Sequence, residues 1–184
     1  MAEKDLCLLV GIGNPGLSFA QTRHNLGFAF VDYVVDCLGG IFVRKTALKS
    51  YLAKVSFEDK DLLIAKPLTF VNLSGNSLGI LRNRFNLESD RIMIAVDNVD
   101  KPFGKLSLKQ GIGAGGHNGL RSVNQVLDFR NSWVLKMGIG RPLDDSKGLA
   151  DFVLGRFSFE EQGALPMIFE EAIILVKEWL LHKV

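Results

Sequence analysis

Residues 6 to 16 read LCLLVGIGNPG, an apolar run of five residues that passes directly into a glycine-rich loop. A short apolar run that ends at a glycine is typical of a parallel strand buried on both faces of its sheet. Parallel strands are joined by crossovers that are usually helical, so this stretch favours an α/β fold. It predicts a first strand over residues 6–10 and a loop that carries Asn14 at the carboxyl end of that strand.

The remaining chain alternates between helical and strand patterns. Predicted helices cover residues 28–38 and 73–85, a segment carrying Leu120, Val123, Val126 and Leu127, and the end of the chain from Ser158 onward. Predicted strands cover residues 51–57, 62–65, 91–96, 105–109 and 133–137, of which the first two form a hairpin. We therefore predict one α/β domain over residues 1–184, in which a twisted mixed sheet is flanked by helices on both faces.

Composition excludes several classes of protein. The chain has 184 residues, 47% of them apolar and 23% charged, which suits a globular domain and not a disordered or fibrous one. Cys7 and Cys37 lack the spacing of a disulfide framework or a zinc site, and we expect both to be small core residues in a reducing compartment. The N-terminal segment lacks the apolar region of a signal peptide, and no apolar stretch approaches the roughly 18 residues that span a bilayer. We expect a cytoplasmic protein without a membrane partner.

The basic residues are concentrated in one part of the chain. The whole sequence carries 22 basic and 20 acidic side chains, yet residues 101–143 hold 7 basic residues against 1 acidic residue. The basic set consists of Lys101, Lys105, Lys109, Arg121, Arg130, Lys136 and Arg141. This segment is a candidate phosphate-binding face, and an ordinary solvated surface is the alternative interpretation.

The loop sequence GIGNPG matches the dinucleotide-binding pattern GxGxxG directly after a strand. A dinucleotide site needs a helix to begin within the glycine loop, so that the amino end of the helix meets the pyrophosphate. Here Pro15 and about a dozen further residues precede the predicted helix. A nucleotide-dependent enzyme is therefore a weakly supported alternative.

Polar residues follow several of the predicted strands, where ligands bind in open α/β sheets. His24 lies in the loop after the first strand, and Asp97 follows the apolar run IMIAV. A neutral imidazole can take a proton from water, and a carboxylate on its other nitrogen stabilises the resulting cation. The amides of Asn14, Asn72 and Asn118 could position water or substrate, although such residues also serve turns.

Several catalytic motifs are absent from the sequence. It contains neither a GxSxG elbow nor an HExxH zinc motif, and neither cysteine lies near a histidine in a plausible loop. With only 3 histidines in the chain, a metal site is also hard to build. If the protein is a hydrolase, we expect water to be the nucleophile and neither a metal nor a cofactor to be needed.

Seven segments of the sequence resemble the bacterial-type peptidyl-tRNA hydrolase family. They occur in order between residues 8 and 157, and they read LLVGIGNPG, FAQTRHNLGF, KPLTFVNLSG, VDNVDKPFGKLSLKQG, GAGGHNGLRSV, MGIGRP and DFVLGRF. The resemblance implies hydrolysis of the ester between a peptide, or an N-blocked aminoacyl group, and tRNA, which frees the tRNA for reuse in translation. A non-catalytic RNA-binding protein with the same fold is the alternative.

The resemblance also implies roles for individual residues. It makes His24 the catalytic base and Asp97 its partner, with Asn14 in the catalytic set. Substrate-binding roles carry over to Phe19, Phe70, Asn72, His117, Asn118 and Lys109. Lys136 is a further candidate contact for the tRNA. The implied partner is the acceptor stem and CCA end of peptidyl-tRNA, and the implied state is a monomer without an obligate protein partner.

Overall fold

The computed structural model describes residues 6–111, 113–128, 130–142 and 148–182. These residues form one mixed sheet of seven strands in the order β2-β3-β4-β1-β5-β7-β6. The strands are β1 (Cys7–Gly11), β2 (Val43–Lys45), β3 (Ser50–Phe57), β4 (Lys60–Pro67), β5 (Ile92–Asn98), β6 (Leu106–Gln110) and β7 (Trp133–Gly138). The helices are α1 (Leu26–Cys37), α2 (Ser74–Phe85), α3 (Asn118–Val123), α4 (Leu149–Leu154) and α5 (Phe159–His182).

The centre of the sheet is parallel and its margins are antiparallel. Strand β1 pairs in parallel with β4 and β5, and β5 pairs in parallel with β7. Strand β3 forms the predicted hairpin with β4, while β2 and β6 are the antiparallel edges. Every residue of β1 is buried, as the apolar run at the start of the sequence predicts. The carboxyl ends of β1, β4, β5 and β7 consequently meet at one edge of the sheet.

Helices cover both faces of the sheet, which confirms the predicted fold class. On one face, Leu9 of β1 belongs to a core that includes Phe30 of α1 and Trp179 of α5. On the other face, Leu8 of β1 belongs to a core with Leu78 of α2 and other buried residues of α2 and α3. Alternate residues of the central strands therefore enter opposite cores, because successive side chains of a strand point to opposite faces.

Helix α1 approaches the sheet unusually closely at Gly27. A Cβ atom at this position would lie 2.4 Å from the carbonyl oxygen of Ala95 and 2.5 Å from that of Ile12. Only a residue without a side chain allows the helix backbone to contact the strand backbone in this way. The first turn of α1 is thereby held against the residue that follows β1 and against the middle of β5.

Some local expectations from the sequence were wrong. Cys37 is exposed at the end of α1, whereas Cys7 is buried in β1 as expected. Helix α1 begins at Leu26 and not at residue 28, and α3 ends at Val123, so Val126 and Leu127 follow the helix in a turn. Two short elements, β2 and α4, which contain three and six residues, were not predicted from the sequence. Among the described helices, none is both long and apolar enough to cross a membrane.

Candidate active site

A cleft of about 690 Å³ lies at the carboxyl ends of the parallel strands. Nine residues were given a catalytic or substrate-binding role from the resemblance, and seven of them line the cleft: Asn14, His24, Phe70, Asn72, Asp97, His117 and Asn118. Phe19 and Lys109 lie outside that lining. The ring of Phe19 packs edge-on against Phe70, with 6.3 Å between the centroids, and Lys109 is exposed on the edge strand β6.

His24 and Asp97 form a hydrogen-bonded pair on the cleft wall. His24 lies in a 3₁₀ turn (Arg23–Asn25) directly before α1, and Asp97 lies near the end of β5. The Nδ1 atom of His24 is 3.0 Å from Oδ1 and 3.2 Å from Oδ2 of Asp97. An ionised carboxylate only accepts hydrogen bonds, so we assign a proton to Nδ1. In the neutral ring, Nε2 therefore carries the lone pair that can accept a proton.

His117 contacts the same carboxylate from the other side. Its Nε2 atom lies 3.1 Å from Oδ1 of Asp97, and its Nδ1 atom accepts a hydrogen bond from the backbone N–H of Leu120 at 3.2 Å. The second contact makes His117 the N-cap of α3. Because Nδ1 is an acceptor, the proton of the neutral ring is on Nε2 and is donated to Asp97. One aspartate thus fixes the orientation of two imidazoles.

The shared carboxylate changes the acidity of the pair. Burial alone would raise the pKa of Asp97, which is only 2% exposed, but hydrogen bonds from His117 and His24 outweigh burial and hold it well below its usual range. Burial lowers the pKa of His24, yet the hydrogen bond and the negative charge of Asp97 together raise it above the usual 6.5. His24 is therefore a stronger base than a free imidazole.

The side-chain amide and the backbone of Asn14 are held by different partners. Its Oδ1 atom accepts a hydrogen bond from the backbone N–H of Val71 at 2.9 Å. Asn25 binds the backbone of Asn14 on both sides, accepting from its N–H at 2.8 Å and donating Nδ2 to its carbonyl oxygen at 2.9 Å. Since Oδ1 of Asn14 is already engaged, Nδ2 is the amide atom left to donate to a ligand in the cleft.

Basic side chains border the cleft. Lys136 and Arg141 belong to its lining, and Arg141 forms an ion pair with Asp100. Burial lowers the pKa of Lys136, Asp100 acts in the opposite sense, and the positive charges of Lys101 and Lys109 lower it further. In the register of β6 and β7, Lys109 lies opposite Val134 and Ser107 opposite Lys136, so Lys109 and Lys136 are diagonal neighbours on one face of the sheet. The basic segment noticed in the sequence thus reaches from the cleft to the edge of the sheet.

Comparison with known proteins identifies the family. The family model described as peptidyl-tRNA hydrolase matches residues 8–184. The chain belongs to the peptidyl-tRNA hydrolase family. A curated peptidyl-tRNA hydrolase of Chlamydia abortus is 42% identical over 173 residues, which cover 94% of this chain and 94% of that protein.

Solved structures of peptidyl-tRNA hydrolases share the fold. A crystal structure of a peptidyl-tRNA hydrolase in complex with N-propanol is 32% identical and has a TM-score of 0.89, covering 98% of this chain and 91% of that one. The enzyme from Acinetobacter baumannii is 29% identical and has a TM-score of 0.81, covering 98% of this chain and 96% of that one. The resemblance inferred from the seven sequence segments is confirmed.

Within this member of the peptidyl-tRNA hydrolase family, one group of described residues has the composition of a metal site. Ligand atoms of His24, Asp97 and His117 lie within 4.8 Å of one another. A neutral imidazole has one lone-pair nitrogen, and in His117 that nitrogen accepts from Leu120. The nitrogen that faces Asp97 therefore carries a proton and is not free to bind a cation. The hydrogen bonds favour a proton-transfer site over a metal site.

Three features of the site were missed in the sequence. Asn25 orients Asn14, although its position directly after His24 in the segment FAQTRHNLGF was a usable signal. The contact between His117 and Asp97 was not foreseen, because it depends on how the loop before α3 folds back over β5. The third feature is an apolar wall of the cleft on α4, formed by Leu149, Ala150, Val153 and Leu154.

Proposed function

We propose that this protein hydrolyses the ester bond between the peptide, or an N-blocked aminoacyl group, and tRNA in peptidyl-tRNA, and so releases tRNA for reuse in translation. The observation that carries the proposal is the contact between Nδ1 of His24 and Asp97 in a cleft bordered by Lys136. Membership of the peptidyl-tRNA hydrolase family supports the same reaction. Hydrolysis needs a base for water, and the free Nε2 atom of His24 has that capacity.

In the proposed mechanism, Nε2 of His24 takes a proton from a water molecule while the water oxygen bonds to the ester carbonyl carbon. Asp97 stabilises the imidazolium that forms. Nδ2 of Asn14 donates a hydrogen bond to the negative oxygen of the tetrahedral intermediate. The intermediate then breaks its bond to the ribose oxygen, which receives the proton from His24. The products are tRNA with a free terminal ribose hydroxyl and a peptide carboxylic acid, which then loses its proton to solvent.

The remaining cleft residues are assigned to substrate binding. Asn72, Asn118 and Phe70 line the cleft around the pair, and Phe19 supports the ring of Phe70. We assign them to the peptide and the CCA end, and His117 to orienting Asp97. The acceptor stem is placed along Lys105, Lys109, Arg121 and Lys136. Contacts of lysine and arginine to phosphate give affinity without reading the sequence, which suits an enzyme that accepts many tRNAs.

The alternatives are weaker on physical grounds. A dinucleotide site requires a helix to start within the glycine loop, but α1 begins at Leu26, well beyond Gly16. A non-catalytic RNA-binding protein would not need a histidine whose basicity is raised by a buried carboxylate.

The monomeric state and the cytoplasmic location stay predictions, which light scattering and cell fractionation would test.

The central test is the release of a labelled N-acetylated aminoacyl group from tRNA in the presence of EDTA. Substitution His24→Asn should lower the rate by about 10²- to 10⁴-fold, because general-base catalysis is lost. Affinity for the tRNA ester, measured in parallel, should stay within a few-fold of wild type. His182→Asn is the matched control, because His182 is exposed at the end of α5 and far along the chain from the pair.

Two results would contradict parts of the proposal. Binding of the substrate by the wild type without cleavage would identify an RNA-binding module that has kept the fold. Loss of wild-type activity in EDTA, restored by a divalent metal, would contradict the assignment of water activation to His24 and Asp97 alone.

A further inference from the structure

Arg23 immediately precedes His24 and binds a distant part of the chain. Its backbone N–H donates to the carbonyl oxygen of Gly155 at 2.9 Å, and its Nη1 atom donates to the carbonyl oxygen of Arg156 at 2.6 Å. Its Nη2 atom forms an ion pair with Glu161 at 2.8 Å. Arg23 therefore ties the turn that carries His24 to the segment that joins α4 and α5.

The guanidinium of Arg23 also lies against one aromatic ring of α4 and one of the segment that follows it. Its central carbon is 4.5 Å from the ring centroid of Phe152 and 5.4 Å from that of Phe157. The Arg23 side chain is only 14% exposed, so these contacts are largely screened from water. The planar guanidinium can donate hydrogen bonds at its edge while its face covers an aromatic ring, which a lysine ammonium cannot do.

Helix α4 depends on such contacts for its position. None of its six residues is fully buried, and Leu149 and Leu154 are each 45% exposed. Phe152 of this helix faces Arg23, while Leu149, Ala150, Val153 and Leu154 line the cleft. A short helix with so little burial is marginal by itself, so contacts at its end determine where it lies.

We propose that Arg23 is a positioning residue that holds α4 as the apolar wall of the cleft and thereby sets the affinity for the peptide part of the substrate. This inference rests on the proposed function. The lining contributed by α4 is apolar, whereas Lys136 and Arg141 supply positive charge to the same cleft. Phosphates of tRNA suit the charged residues, and peptide side chains suit α4.

Glu161 connects this arrangement to the start of α5. The carboxylate that binds Arg23 also accepts the backbone N–H of Ser158 at 2.7 Å, and Ser158 in turn accepts the N–H of Glu161 at 3.1 Å. These two reciprocal hydrogen bonds form a capping box at the start of α5. Glu161 is therefore held in place at the start of α5, and Arg23 bridges it to Phe152 of α4.

The test compares Arg23→Gln with Arg156→Gln. Arg156 is exposed and only its backbone carbonyl takes part in the contact, so its substitution removes a nearby charge and leaves the contact intact.

Both variants are assayed on tRNA esterified with a single N-acetylated residue and on tRNA esterified with an N-acetylated apolar peptide. For Arg23→Gln, KM for the peptide ester should rise about tenfold, because the competent position of α4 is populated less. KM for the single-residue ester and the kcat values should change by less than about threefold.

A second measurement does not depend on activity. Backbone amides of α4 should exchange with deuterium at least about tenfold faster in Arg23→Gln than in Arg156→Gln, while exchange in the core strand β1 stays unchanged. Arg23→Lys, which keeps the charge without the planar group, should give a smaller change in both readouts. This variant also keeps the test valid if Arg23→Gln folds poorly.

The possible results separate the two proposals. An equal rise of KM for both esters, or equal exchange of α4 in both glutamine variants, would overturn the role of Arg23. A wild-type protein that cleaves neither ester would overturn the proposed function, and the exchange measurement would still decide whether Arg23 holds α4.

Discussion

Asp97 accepts hydrogen bonds from two imidazoles, and the two contacts have different consequences. The contact from His117 also fixes the N-cap of α3, so it serves the structure of the loop before that helix. The contact from His24 leaves Nε2 available in the cleft and increases its basicity. A single buried carboxylate can therefore stabilise a loop and adjust a base, provided that both rings donate to it.

The raised pKa of His24 predicts the pH dependence of catalysis. In the proposed mechanism His24 acts as a base and must be unprotonated, so kcat/KM should rise with pH through a midpoint above 6.5 and should be lost as pH falls below it. Asp97→Asn removes the hydrogen bond to an anion and the negative charge, and burial then moves the midpoint below 6.5. Rates of ester cleavage between pH 5 and pH 9 would measure both midpoints. Identical midpoints in the two proteins would contradict the role of Asp97.

Sequence patterns predicted some residues of the site better than others. His24 and Asp97 were found because each follows an apolar strand and their side chains have complementary acid and base chemistry. Arg23 and Asn25 were not found, because most of their hydrogen bonds go to backbone groups of Gly155, Arg156 and Asn14, and the side-chain partner of Arg23, Glu161, is 138 residues away. Every residue has such groups, so no pattern of side chains along the chain marks which of them an arginine or asparagine will bind.

At the scale of elements, the contact of α1 with the sheet predicts a large effect of one methyl group. Gly27→Ala would place Cβ within 2.6 Å of backbone atoms of Ile12 and Ala95, which cannot move without disturbing the sheet. We expect the free energy of unfolding to fall by about 3 kcal/mol, which is the upper end of the usual cost of adding a methyl group to a packed core. Urea denaturation measures this loss. Displacement of the turn before α1 should also lower kcat.

Gly163→Ala is the matched control for that substitution. Gly163 lies in the same type of element, in α5, and a Cβ atom added there would meet no other atom within 4 Å. Alanine is favoured over glycine in a helix, so this variant should gain about 0.5 to 1 kcal/mol. A similar destabilisation of both variants would show that the effect of Gly27→Ala does not come from the close contact.

The elements that the sequence pattern does not predict are short and weakly buried. All three residues of strand β2 are exposed, and two of them are Arg44 and Lys45. The strand therefore lacks the alternation of apolar and polar residues by which a half-buried strand is recognised in a sequence. Helix α4 has six residues, fewer than two full turns, so a helical period cannot be distinguished from a short apolar run. By contrast, the buried strands β1 and β5 were recognised because burial on both faces demands continuous apolar sequence.

For the whole molecule, the uneven distribution of charge predicts how tRNA binding depends on salt. The logarithm of the affinity should fall by about 0.7 to 0.9 for each phosphate contacted, per tenfold increase in salt concentration. Lys109→Gln should reduce that slope by about one contact. Lys45→Gln is the control, because Lys45 is exposed on β2 at the opposite edge of the sheet. Filter binding between low and physiological salt measures the slopes, and a flat wild-type response would contradict this docking face.

The position of Lys109 on an edge strand has a second consequence, which concerns self-association. Strand β6 ends the sheet, so one side of its backbone has no neighbouring strand in the described part of the chain. Exposed edges of this kind can pair with another copy of the protein and begin aggregation, and lysine side chains oppose such pairing. Replacement of Lys109 by an apolar β-branched residue would therefore favour insolubility as well as weaken RNA binding. In the proposed docking of tRNA, the side chain that contacts the nucleic acid would also keep copies of the protein from pairing at this edge.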